Sequence, residues 1–129
     1  MNITFKHLFK NMDSKLHNIK ALNLTSADGF TLFSELCNEF KFDSNKLSAV
    51  TSSITALSQA AAKQIIKSKF QSTCIETDTG VIYMVQTLYQ GKKCILSLIS
   101  GDDPNLGQTR YYLFKLANYL ETATLSADE

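Results

Sequence analysis

Arginine is nearly absent from this chain: Arg110 is the single guanidinium among 13 basic residues. A nucleic-acid surface draws on several such groups, because the planar fork contacts phosphate and guanine bidentately. The 12 acidic residues leave a net charge of only +1. No global field therefore draws the chain to nucleic acid or an anionic membrane. Long hydrophobic runs are lacking too, and none approaches the ~20 residues that a membrane span needs. Lys6, His7 and Lys10 interrupt the N-terminus before a signal-peptide apolar region can form. The expectation is a cytoplasmic protein with no membrane insertion. Cysteine is scarce: Cys37, Cys74 and Cys94 lie far apart and form no C-x-x-C pair. That spacing reads as buried reduced thiols. No G-x-x-x-x-G-K-[ST] occurs, so a P-loop nucleotide site is excluded.

What remains is a chain of 129 residues, 44% apolar, enough for one domain with a genuine core. Residues 1–124 are read as that domain and 125–129 as a frayed polar tail. Phe5, Leu8, Phe9 and Met12 recur at helical spacing and mark the apolar face of a first helix. Two strand-like runs, 17–26 and 30–36, then flank Asp28-Gly29. Asp-Gly between such runs predicts a hairpin through a type I′ turn, since both residues tolerate φ > 0.

A long helix is predicted over 46–68, with Ser44 or Asn45 as its N-cap. Leu47, Val50, Ile54, Leu57, Ala61 and Ile65 fall on one stripe, which the 3.6-residue period places on the sheet. A second stripe, Ala49, Ser53, Ala56 and Ala60, holds only small side chains and lets another helix approach closely. The outward side is expected to present Ser52, Thr55, Gln59, Lys63 and Ile66. Three strands follow at 70–76, 81–89 and 93–99, joined by Thr79-Gly80 and Gln90-Gly91. The runs VIYMV and CILSLI are apolar at consecutive positions, which predicts a sheet covered on both faces. The last helix spans 106–122, with Leu113, Leu116, Ala117 and Leu120 inward.

No catalytic constellation emerges. The cysteines sit on or near strands, whereas His7 and His17 belong to the first helix and its end, so no Cys–His pair is implied. Asp102, Asp103 and Asn105 offer oxygen ligands before the last helix, but that order is ordinary turn and capping chemistry, and no metal is expected. Arg110 is read as packing its stem over the sheet edge, and Tyr111 and Tyr112 as partly buried with wet hydroxyls. The reading is a non-enzyme without cofactors.

The ordered set resembles the roadblock family of dynein light-chain-type domains. It comprises the DG hairpin, KLSAVTSSITALSQAAAKQI, GVIYMVQTLYQGKKCILSLIS and LGQTRYYLFKLANYL. The resemblance runs from residue 5 to residue 121. It implies an α+β sandwich: a five-stranded antiparallel sheet, the central helix on one face and the terminal helices on the other. Such domains form two-fold dimers through the central helix and the third strand. In this chain that assigns Ala49, Ser53, Ala56, Ala60, Gln71, Thr73 and Ile75 to a homodimer seam. Prokaryotic members include gliding-motility regulators that act on small Ras-like GTPases. The resemblance thus implies an adaptor, similar to a GTPase-activating protein, for such a GTPase or for a related scaffold. Ser52, Thr55, Gln59, Lys63 and Ile66 would be its partner-binding face. The alternative function is a small-molecule sensor of the profilin-like or PAS-like type.

Overall fold

The computed structural model of the chain describes residues 3–16, 18–37, 41–101 and 105–126. The elements run β1 (Ile3–Thr4), α1 (Phe5–Lys15), β2 (Ile19–Ser26), β3 (Thr31–Leu36) and α2 (Ser44–Ala61). A π-helical turn, Ala62–Ile66, extends α2; then come β4 (Ser72–Glu76), β5 (Val81–Tyr89), β6 (Lys92–Ser100), α3 (Leu106–Leu120) and β7 (Leu125–Ser126). Five strands form one antiparallel sheet in the order β3-β2-β6-β5-β4. This is the expected α+β architecture with the third long strand of the sequence reading, β4, at an edge.

The two faces of the sheet differ in chemistry. On one, Leu22, Leu24, Tyr83, Val85, Leu96 and Leu98 meet Phe5, Leu8, Phe9 and Met12 of α1 and Leu113, Leu116 and Leu120 of α3. Both terminal helices bury the faces that their periodicity marks. Each such leucine contributes about 1.5–3 kcal/mol by leaving water. On the other face, register lines up Ser34, Asn23, Ser97, Met84 and Thr73 across all five strands. A polar row therefore runs under α2, broken by one methionine.

The turns depart from expectation in an instructive way. At the first hairpin only Gly29 has positive φ, +95°, and its N–H bonds the carbonyl of Ser26 at 3.0 Å. Asp28 instead accepts from the Ser26 hydroxyl at 2.5 Å. The connection is a turn closed over Ala27-Asp28 with glycine at the left-handed position after it, not type I′. The mirror-image geometry occurs at Gln90-Gly91, where φ is +51° and +78° and Tyr89 pairs directly with Lys92.

The N-cap of α2 is Asp43, not Ser44 or Asn45: its carboxylate accepts from the N–H groups of Asn45 and Lys46 at 3.0 and 3.3 Å. Asp43→Ala is expected to cost about 1 kcal/mol, the usual worth of such a cap. A thermal melt of the variant against the parent checks it. At its other end α2 yields to the π-helical turn before residue 68, and Lys67 caps it at φ +60°.

Of the tail expected to fray over 125–129, residues 127–129 lie outside the described residues and the first two form a strand. Leu125 and Ser126 pair in parallel with Ile3 and Thr4. Leu125 is buried, and its N–H donates to the Tyr89 hydroxyl at 2.9 Å. Leucine supplies an apolar anchor within an otherwise polar end, which a reading of average polarity passes over.

Candidate functional site

The site is built on α2, and its orientation is the main correction to the sequence reading. Of the stripe expected on the sheet, only Leu47 is buried; Val50 is 45% exposed, Leu57 72% and Ile65 79%. The residues that do face the sheet are Ser48, Thr51 and Thr55. The reason lies beneath them. Ser48 Oγ accepts from Asn23 Nδ2 at 3.0 Å and lies 2.9 Å from Thr25 Oγ1 and 2.6 Å from Thr31 Oγ1. Farther along, Ser58 Oγ lies 2.9 Å from Thr73 Oγ1 on β4. Buried polar groups on a sheet require polar partners from the covering helix, and a hydroxyl stripe at helical spacing supplies them.

Rotating α2 in this way turns Val50, Leu57 and Ile65 outward, while Ile54 stays half-buried. Ala49, Ser53, Ala56 and Ala60 are all exposed, flanked by Val50 and Leu57 and followed by Ile65 and Ile66. Ser58, Ala61, Ile65 and Ile66 then border an open groove with Phe70 and Cys74 at the β4 edge. Helix face and sheet edge are thus one continuous surface. Thr73 and Ile75 of β4 are half-buried, while Gln71 just before it accepts from Arg110 Nη2 at 3.0 Å. Arg110 also lies 4.6 Å from the Phe114 ring centre. Through Gln71 its guanidinium links α3 to the lead-in of β4.

The residues expected on the outward side separate. Ile66 is 74% exposed and Lys63 is exposed, whereas Ser52 and Gln59 are half-buried. Thr55 does not belong with them: it is 3% exposed and sits against the sheet. The helix is turned toward its hydroxyl stripe, which carries Thr55 inward. The buried oxygens Asn23 Oδ1, Ser34 Oγ, Thr55 Oγ1 and Ser97 Oγ have no hydrogen-bond partner among the described residues.

The thiols are less uniform than expected: Cys94 is buried, Cys37 intermediate and Cys74 exposed. Although Cys74 is exposed as a residue, partial desolvation of its sulfur raises the thiol pKa, and the neighbouring Glu76 charge adds to it. Burial also raises Cys94, partly offset by a hydrogen bond to the Tyr89 backbone. Both shifts favour the thiol over the thiolate, the opposite of nucleophile activation. No cluster of three metal-ligating side chains occurs among the described residues. Asp102 and Asp103 lie outside them, as does His17, while Asn105 caps α3 by accepting from Gln108 N–H at 3.0 Å. Tyr111 is 60% exposed rather than partly buried, and Tyr112 is half-buried. No described helix is long and apolar enough to cross a membrane.

No curated protein matches the sequence. Solved structures do match the fold. An MglB described as having a tetrameric arrangement superposes with a TM-score of 0.76 at 18% identity, covering 90% of this chain and 84% of that one. MglB of Myxococcus xanthus gives 0.72 at 21% identity, covering 86% of each chain. A Roadblock/LC7 domain from Streptomyces avermitilis gives 0.72 at 14% identity, covering 85% and 88%. At these identities the likeness establishes the fold. The sequence itself matches the Roadblock/LC7 domain family over residues 8–100, and the chain belongs to that family.

Proposed function

We propose that this protein is a homodimeric regulatory adaptor, built on the outward face of α2 and the free edge of β4, that engages a small Ras-like GTPase. The observation that carries the reading is the exposure of Val50, Leu57 and Ile65 around the small stripe Ala49, Ser53, Ala56 and Ala60. Contiguous exposed apolar surface marks an interaction site, and small side chains let two helices approach. The unpaired edge of β4, with Thr73 and Ile75 half-buried and Gln71 leading into it, extends the seam. A strand edge pairs readily with its copy in a two-fold dimer.

Family membership supports a regulatory rather than a catalytic role, and the MglB neighbours, one of them tetrameric, support self-association. In this arrangement Ser52, Gln59, Lys63 and Ile66 form the rim on which the GTPase sits. Light scattering over a dilution series tests the dimer: a monomer at all concentrations removes the proposal. For the partner face, Ile66→Asp is expected to leave dimer and melting temperature nearly unchanged, within about 0.5 kcal/mol as for exposed sites generally. The same variant should lose capture of the GTPase when both are mixed as purified proteins. Retained capture would move the binding surface off the rim.

A further inference from the structure

The opposite side of the molecule carries a second surface that the α2 reading leaves unused. On this side α1 and α3 together hold Lys6, Lys10, Lys15, Arg110 and Lys115, against Asp13 alone. Between the two helices lies a groove of about 250 Å³. Its floor is Leu8, Met12 and Leu116, all buried, and its walls include Tyr112 and Tyr119. Lys15 and Lys115 stand at the rim, and among the described residues no acidic side chain lines it. Lys15 Nζ sits 5.3 Å from the centre of the Tyr112 ring, and Lys115 Nζ 5.9 Å from that of Tyr111. Ring contacts of this kind hold an ammonium at modest energy; Lys15 is held against the groove's own wall, whereas Lys115 leans on Tyr111, outside it.

We propose that this groove docks an acidic amphipathic helix of a protein partner. A bulky apolar side chain of that helix would enter between α1 and α3, and flanking carboxylates would meet Lys15 and Lys115. The volume falls below the roughly 300–1,000 Å³ of small-molecule sites, which suits a side chain better than a cofactor. Its concave form, walled by tyrosines, suits the helix-in-groove mode of recognition more than a flat lipid surface. Tyrosine at the rim adds contact area with little entropy to lose. The adaptor would then be two-sided, with the α2 surface and this groove on opposite faces of the sheet.

The test uses the full chain and a fluorescein-labelled amphipathic helical peptide of leucine and glutamate, with a glutamine-for-glutamate peptide as its counterpart. Anisotropy should report binding of the glutamate peptide that weakens as salt rises, and none of the glutamine peptide. Lys15→Glu combined with Lys115→Glu should weaken binding at least about tenfold, since close charge pairs now repel. Lys67→Glu combined with Lys69→Glu, on another basic part of the surface, should leave binding unchanged. These are exposed sites, so melting curves should stay level, and light scattering should show the same oligomer. The proposal is overturned if both peptides bind alike or if the two lysine pairs matter equally. It also fails if only phosphatidylserine vesicles, and not the peptide, bind in a Lys15- and Lys115-dependent manner.

Discussion

Leu57→Glu is expected to turn the protein into a folded monomer. Leu57 is 72% exposed on the outward face of α2, so the isolated chain accommodates a carboxylate there without disturbing its core. In a two-fold dimer seamed on that face, the same carboxylate is desolvated near its own copy. Burying an unpaired charge costs several kcal/mol, and ~2.8 kcal/mol already weakens association by about 100-fold. Light scattering should give a monomer at concentrations where the parent is dimeric, while circular dichroism and the melting profile of the monomer keep their native form. A Leu57→Glu protein as dimeric as the parent would place the seam elsewhere. Ala60→Glu, one turn on and also exposed, should behave alike and guards against a local peculiarity of position 57.

The second large effect contrasts the two faces of the sheet. Leu22 has no exposed surface and packs in the cluster shared with α1 and α3. Leu22→Ala should lose about 2–5 kcal/mol, the range for truncating a buried leucine. One face over, Thr55 is buried with its hydroxyl oxygen unpartnered among the described residues. Thr55→Val keeps the shape and β-branching but removes that cost, so it should hold stability level or raise it by about 1 kcal/mol. Chemical denaturation of both variants decides the point. A strongly destabilised Thr55→Val would mean that the hydroxyl is bonded in solution and that the polar layer is tighter than the geometry indicates.

The sequence makes the fold legible where a single cause dominates. Phe5, Leu8, Phe9 and Met12, and Leu113, Leu116, Ala117 and Leu120, are inward because apolar periodicity has no competitor in those helices. The unbroken apolar runs in β5 and β6 correctly signal a sheet covered on both sides. The central helix misleads because it carries two periodic stripes, one apolar and one of hydroxyls. Periodicity assigns the apolar stripe to the core, yet the sheet beneath offers Asn23, Thr25 and Ser97. The deciding information is therefore tertiary. It could have been found by noticing that Ser48, Thr51, Thr55 and Ser58 repeat at the same spacing as the leucines. The small-residue stripe was legible in the sequence, but that it is exposed together with Val50, Leu57 and Ile65 follows only from the rotation. The groove between α1 and α3 left no sequence signal, since it forms from residues about 100 positions apart.

The polar layer under α2 has a consequence for how the molecule opens. Native proteins come apart in cooperative units, and the first to detach are those with least apolar burial. Here α1, α3 and the sheet share one dry core, whereas α2 is attached chiefly through Leu47 and a ladder of hydroxyl contacts. The amides of α2 should exchange with solvent through a partial opening, well before those of β2, β5 and β6. Whatever covers the outer surface of this helix closes that opening by mass action. Protection of α2 in a hydrogen-exchange experiment would then rise with protein concentration while the strands stay constant. Occupancy of the surface would be readable in the dynamics of the helix that carries it.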